Sequence, residues 1–261
     1  MRVVRVVYII WLREFKNFMR EPTRLVGMIG QPLLYLLVLG QGIASGLTIN
    51  RAPGVGYLPF IFPGILAMGV LFTSMFSAIS IIWDREFGFL KEVLVAPVPR
   101  WGVAVGKILG GATVAMMQSV VLIALAPVAS VGLSPLVVVE LLLLCFLMSI
   151  AITSLGVFVA ATMRSMQGFQ MLMNLLIMPL YFLSGAMFPI ASAPSWMRVL
   201  MTIDPLTYGV DALRNVVFTG TELPPEAQAL IWGSLPLDVA IMAGVALLFA
   251  GVASLRFHTA D

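Results

Sequence analysis

The chain has 261 residues, of which 61% are hydrophobic and only 10% charged, against about 25% charged in an ordinary soluble domain. Mean hydropathy is +1.05 and the pI is about 9.3. A water-soluble fold of this length cannot hide so much apolar surface and keep a charged exterior, and a disordered chain would be polar and charge-rich. What remains is a single integral membrane domain.

Six stretches carry no Asp, Glu, Lys or Arg: 25–50, 52–83, 108–139, 141–163, 165–197 and 239–255. A helix needs about 20 apolar residues to cross the hydrocarbon core. Five stretches clear that length, and the sixth reaches it with Pro236 and Leu237. The runs do not alternate as barrel strands would. The expected fold is all-α, with six transmembrane helices at 25–47, 59–83, 101–130, 136–162, 167–188 and 236–256.

Residues 1–22 form an element of their own. On a helical wheel Arg2, Arg5, Arg13, Lys16 and Arg20 fall within about 80° of one another, opposite Val3, Val6, Val7, Ile10, Trp11, Phe15 and Phe18. This predicts an interfacial helix, basic face to headgroups and aromatic face to lipid, broken by Pro22 before the first span. Glu14 falls on the apolar side, where a snorkelling side chain is the simpler reading and contact with a partner helix is the alternative. A signal peptide ending at Ile43-Ala44-Ser45 is the weaker reading, because its charged region is too long and contains Pro22.

After the second span come Asp84, Arg85, Glu86, Phe87, Leu90, Lys91 and Leu94. Phe87, Leu90 and Leu94 share one helical face, and Pro97 and Pro99 stop the helix. Such a segment, 84–99, suits docking into a groove on a cytoplasmic protein. The third span opens with Gly102-Val103-Ala104-Val105-Gly106-Lys107-Ile108. As a P-loop this is one residue short and has Ile108 where a hydroxyl would bind magnesium, so the glycines read as sites of close helix packing. Pro127 is expected to end or kink this span.

Glu140 is the one carboxylate inside predicted span four. It lies about 5 Å from the end of span four and reads as interfacial. Cys145 reads as a small buried apolar residue, and a single Cys with the single His258 makes no metal site. Pro189, Pro194, Pro205, Pro224 and Pro225 punctuate the connection 189–235. Two short helices are predicted there, Ser195 to Met201 and Leu206 to Phe218, with Ser195 as N-cap and Pro205 in a first turn. They are expected to tuck into the outer membrane surface.

Twelve of the 15 Lys and Arg fall on one side of this arrangement, leaving Arg51, Arg198 and Arg214 on the other. The bias predicts cytoplasmic N- and C-termini and anchoring to anionic lipid. No nucleic-acid surface is predicted. There is no zincin motif and no Gly-x-Ser-x-Gly elbow, so the chain is not expected to be an enzyme.

Several phrases resemble the permease family of type-2 ATP-binding-cassette exporters. They are Pro179 to Pro189, which includes Leu183-Ser184-Gly185; Pro194-Ser195-Trp196; Asp204-Pro205-Leu206-Thr207-Tyr208; and Asp211-Ala212-Leu213-Arg214. The loop with Arg85-Glu86, Leu94-x-x-Pro97 and Gly106-Lys107 is similar to the family's coupling segment. The resemblance implies a dimer of permease copies driven by two copies of a separate cytoplasmic ATPase, which would hold the ATP and magnesium. It also implies an outer gate built from the motif residues Ser184, Gly185, Pro189, Trp196, Asp204, Pro205, Tyr208, Asp211 and Arg214. Phe62, Met68, Phe72, Met75 and Phe76 of span two, with Met173, Met178, Tyr181 and Phe182 of span five, are the candidate path for a hydrophobic drug or small amphiphile, because Met and aromatic surfaces repack around varied ligands. Export of a lipid-linked polysaccharide or glycolipid is the alternative within the family. An ion-coupled secondary transporter is the alternative outside it.

Overall fold

The computed structural model describes residues 2–21, 26–27, 30, 32–39, 57–87, 99–163, 165–219 and 230–259. Its helices are α1 (Arg2–Met19), α2 (Tyr57–Ser77), α3 (Ile79–Glu86), α4 (Arg100–Ala124), α5 (Pro135–Thr162), α6 (Met166–Leu183), α7 (Ser195–Ile203), α8 (Pro205–Thr219) and α9 (Leu235–Thr259). Tyr35–Leu39 forms a short π-helical turn, and Ala126–Ala129 and Ile190–Ser192 are 3-10 turns. There is no strand among the described residues. Five helices are long and apolar enough to cross a membrane: Tyr57–Glu86, Arg100–Ala124, Pro135–Thr162, Met166–Leu183 and Leu235–Arg256. They coincide with five of the six expected spans. Most of the sixth, 25–47, lies outside the described residues, as does most of the expected segment 84–99.

α2 is the axis of the bundle. Its residues from Pro59 to Leu71 are all buried, and α4, α5, α6 and α8 pack around it. At its end the hydroxyl of Ser77 donates to the carbonyl of Ser74 at 2.7 Å, and the chain bends at Ala78 before α3 continues the span. α5 closes on that bend through Gly156, where a Cβ would lie 3.3 Å from the Ala78 methyl. The third span ends as Pro127 predicts: α4 stops at Ala124 and the proline enters a 3-10 turn. α5 starts at Pro135, with the Ser134 hydroxyl accepting the Val137 N–H. In the connection after α6, Pro205 opens α8 as expected, whereas Ser195 lies within α7 and Pro194 takes its cap position.

α1 departs from its expected setting. It packs along α4 with Ile10 and Phe18 buried, so much of its apolar side faces protein instead of lipid. Glycines decide the contact. A Cβ on Gly106 would lie 2.7 Å from Ile10 Cβ, and one on Gly110 would lie 2.6 Å from Glu14 Cβ. Without side chains at these two positions the helices meet at near-backbone distance. Trp11 then donates its indole N–H to the Thr113 hydroxyl at 2.9 Å. The Gly102 to Lys107 run is therefore a packing surface.

Gly106→Ala and Gly110→Ala are expected to destabilise α1 docking by about 1–3 kcal/mol through overpacking. Gly102→Ala has its nearest neighbour 3.6 Å from the new Cβ, so it is expected to be neutral or slightly stabilising. Tryptic cleavage at Arg13 and Lys16 in detergent measures the difference, rising for the first two variants and unchanged for the third.

Candidate functional site

The charged residues gather at two ends of α2–α3. Phe60 and Asp84 are separated by 24 helical positions, or about 36 Å along the axis, which exceeds the hydrocarbon thickness of a bilayer, about 30 Å.

At the α1 end, Asp84, Arg85 and Glu86 are the last turn of the spanning helix, not the start of a separate one. Each side chain reaches a different part of the fold. Asp84 is buried and accepts from Arg13 of α1, with Nη1 to Oδ2 at 3.0 Å and Nη2 to Oδ1 completing a bidentate pair. It also accepts from Lys107 Nζ at 2.5 Å. Lys107, buried in α4, donates further to Glu14 Oε1 at 2.6 Å and Ser80 Oγ at 3.0 Å. Arg85 donates to the carbonyls of Ala161, at 3.2 Å, and Met163, oxygens that the C-terminus of α5 leaves without helical partners. Glu86 Oε1 accepts the Met166 N–H at 3.3 Å, a negative charge at the N-terminus of α6.

Beyond this turn Phe87 stands 84% exposed. Leu90, Lys91 and Leu94 lie outside the described residues. Of the expected coupling residues, then, three brace the bundle and one is presented outward.

The other end collects most of the motif residues into a buried polar cap. The Leu-Ser-Gly phrase closes α6. The Ser184 hydroxyl donates to the Tyr181 carbonyl at 2.7 Å and accepts the Ala186 N–H at 3.3 Å. Gly185 has φ of +74°, and a Cβ there would also meet Ile190 Cγ1 at 2.9 Å, so both backbone and space require glycine. Arg214 of α8 donates from Nη2 to the Gly185 carbonyl at 2.9 Å. Its guanidinium lies 4.5 Å from the Phe60 ring centroid, a cation–π contact. Burial pulls this guanidinium down to about 10, with Asp211 opposing, and it stays cationic at neutral pH.

Asp211 accepts the Trp232 N–H at 3.0 Å and the Gly233 N–H at 2.6 Å, which fixes the approach to α9. Tyr208 donates to the Thr202 carbonyl at 2.7 Å and packs its ring 5.8 Å from that of Trp232. Pro189 caps the 3-10 turn. Trp196 stands apart from the cap, 66% exposed on α7.

The expected path residues divide. Phe62, Met68, Met75, Met173 and Tyr181 are buried. Phe72 and Phe76 are half-buried with ring centroids 6.3 Å apart, whereas Met178 and Phe182 are exposed with Met171 along α6. A small cavity of about 40 Å³ lies beside Met68, Gly69 and Phe72, and Thr73 and Gln118 give it a polar wall. The Thr73 hydroxyl donates to the Gln118 carboxamide oxygen there. Cys145 is buried, as expected. Glu140 is half-buried in the second turn of α5.

Sequence reasoning set Arg13 against headgroups, placed Lys107 only within a family phrase, left Asp238 without a role, and preferred a snorkelling Glu14 to one that meets a partner helix. The signal was present for Glu14: an acid on an apolar helix face needs a cation, and Lys107 is one turn from a glycine that admits it. Asp238 is fully buried in the first turn of α9, and no periodicity marks it.

Asp204 is the N-cap of α8. Its Oδ1 accepts the Leu206 N–H at 2.8 Å, while Oδ2 is buried without a partner. Burial pushes the carboxyl up to about 7, against the lowering effect of the Leu206 bond. The folded value is raised above the unfolded one, near 3.9, so the native state holds the extra proton. Stability should therefore fall as pH rises from about 4 to 7. Asp204→Asn keeps the cap and removes the ionisation. Its melting temperature in detergent is expected to exceed that of the native protein at pH 8, and the two should converge at pH 5.

Over residues 5–218 the chain matches the ABC-2 type transporter family. It is 28% identical over 215 residues to the "Putative transport permease ycf38" of Cyanophora paradoxa, covering 81% of this chain and 73% of that protein. It is 27% identical over 212 residues to "Nodulation protein J" of Rhizobium meliloti (strain 1021), covering 80% and 79%. It is 24% identical over 228 residues to the "Probable doxorubicin resistance ABC transporter permease protein DrrC" of Mycobacterium tuberculosis (strain ATCC 25618 / H37Rv), covering 84% and 79%. The family match takes in α1, the bend of α2–α3, the clasping turn at Asp84 and the polar cap as far as α8, and on it the chain belongs to the ABC-2 type transporter family, as a membrane permease subunit of an ABC transporter.

Proposed function

We propose that this chain is the membrane half of an ATP-driven exporter of the plasma (bacterial inner) membrane. Two copies form the translocation path, and two copies of a separate cytoplasmic ABC ATPase hold the ATP and magnesium. The observation that carries the reading is the family match over 5–218, whose members work with a cytoplasmic ABC ATPase; residues 1–261 carry no P-loop, in keeping with that division of labour. The basic bias along the sequence supports cytoplasmic termini, which puts Phe87 and the segment to residue 99 on the side where that ATPase works.

Coupling runs through this segment. Phe87 is presented to solvent, and Leu90 and Leu94 continue its helical face, so an ATPase groove that closes on ATP would push on the end of α3. Asp84, Arg85 and Glu86 pass the push to α1, α4, α5 and α6. At the other end, the cap of Ser184, Gly185, Pro189, Asp204, Pro205, Tyr208, Asp211 and Arg214, with Trp196 beside it, forms the outer gate. The cargo is a hydrophobic drug or small amphiphile. Support comes from the Met and aromatic residues of α2 and α6 and from the name of the doxorubicin-resistance relative. The name of the nodulation relative keeps a glycolipid as the second reading. For a secondary transporter the acids in the spanning helices α5 and α9, Glu140 and Asp238, lie in the second and first turns, and a shallow acid makes a poor proton relay.

Affinity purification from membranes is expected to recover a stoichiometric ATPase, and doxorubicin efflux should fail on ATP depletion but survive collapse of the proton gradient. Phe87→Asp and Leu90→Asp should abolish efflux while leaving the permease inserted. Normal efflux by both variants would remove the coupling assignment.

A further inference from the structure

The reading above uses Asp84 but gives no part to the two charges it meets through α4 and α1, Lys107 and Glu14. We infer that Lys107 is a positioning residue that makes α1 move with the end of α3, so that α1 is a driven element of the transport cycle. This inference rests on the proposed coupling through Phe87.

Lys107 has almost no contact with solvent, its side chain being 3% exposed. Its ammonium is held by Glu14 of α1 and by Ser80 and Asp84 of α3. Asp84 in turn takes the Arg13 fork from α1. Two cations and two anions from three elements therefore form one connected group, with Lys107 and Asp84 at its buried centre and Arg13 at its half-exposed edge. Separating Lys107 from its two acids strands a charge in a place that water reaches poorly, which is the most costly way to break such a group. Gly106 and Gly110 flank Lys107 on α4 and hold α1 too close for the ammonium to be hydrated instead.

The clasp on α6 is of another kind. It is a single exposed bond of 3.3 Å from the Met166 N–H to Glu86. When the end of α3 is displaced, α1 and α4 follow as a body, and α6 is the element most easily left behind.

The test is α1 displacement in the complex with the ATPase that co-purifies with the chain. Spin labels go on exposed Ile9 of α1 and exposed Val199 of α7 at the far end, through Ile9→Cys and Val199→Cys with Cys145→Ala. In the native background the label distance should shift on adding ATP and vanadate. Lys107→Met with Glu14→Gln removes two opposite charges together. That pair leaves only the Arg13–Asp84 link between α1 and α3 and should shrink the shift while the complex still hydrolyses ATP, and Lys107→Arg should keep it whole. The inference is overturned if the native background shows no shift, or if the shift survives undiminished in the neutral pair. Failure of the coupling reading is seen separately, as efflux by Phe87→Asp or as purification without an ATPase.

Discussion

The structure depends on how few charges it has and on where the fold places them. In a chain that is 10% charged and built for hydrocarbon, each ionised side chain must lie where water, another charge or a peptide dipole answers it. Lys107 shows the constraint most directly: three oxygens from two other elements surround an ammonium that solvent barely touches. The glycines of α4 are part of the same solution, because a side chain at Gly106 or Gly110 would push Glu14 out of reach. Packing and electrostatics are not separable at this interface.

The two ends of α2–α3 apply that rule differently. At the α1 end, ion pairs join separate helices, and the last turn of α3 adds two bonds to the C-terminus of α5 and one to the N-terminus of α6, each of the sign its helix dipole favours. At the other end most charged side chains answer backbone instead. Asp204 and Asp211 accept N–H groups and Arg214 donates to a carbonyl. The first arrangement ties rods together. The second fixes the shape of turns, which suits a cap whose short helices must sit at a defined depth without crossing.

The spans were legible because charge-free length is itself the physical requirement for crossing a bilayer. The short helices at Ser195–Ile203 and Pro205–Thr219 were legible because Pro194 and Pro205 punctuate them. The motif residues were legible as a set, but their roles were not. The bond from Arg214 to the Gly185 carbonyl joins residues 29 positions apart, and nothing in either phrase states which atom meets which. The placement of α1 was misjudged for a related reason. A helix with a basic face and an aromatic face fits a lipid surface, and the same apolar face fits a partner helix. The odd residue, Glu14, separates the two readings: lipid gives a buried carboxylate no cation, whereas α4 supplies Lys107. Residues 84–86 looked like the opening of a new helix because charge usually marks the end of a span. Here the charge belongs to the span, since neighbouring helices answer it.

Unequal clasps also give the fold a direction of weakness. Removing one partner of a buried ion pair costs about 3–5 kcal/mol, whereas an exposed hydrogen bond contributes on the order of 1 kcal/mol. Asp84 and Glu86 stand two residues apart on one helical turn, yet Asp84 sits in the first kind of contact and Glu86 in the second. A force applied at Phe87 would therefore not spread evenly. It would carry α1 and α4 along and strain the junction with α6, the least buried of the spanning helices that touch this turn. In the proposed exporter, α6 bears Met173, Met178, Tyr181 and Phe182 of the cargo path and ends in the Leu-Ser-Gly turn clamped by Arg214. A helix held loosely at one end and firmly at the other pivots about the firm end. That motion alters the width between α6 and its neighbours with little disturbance to the cap, which opens a path at one side of the membrane before the other.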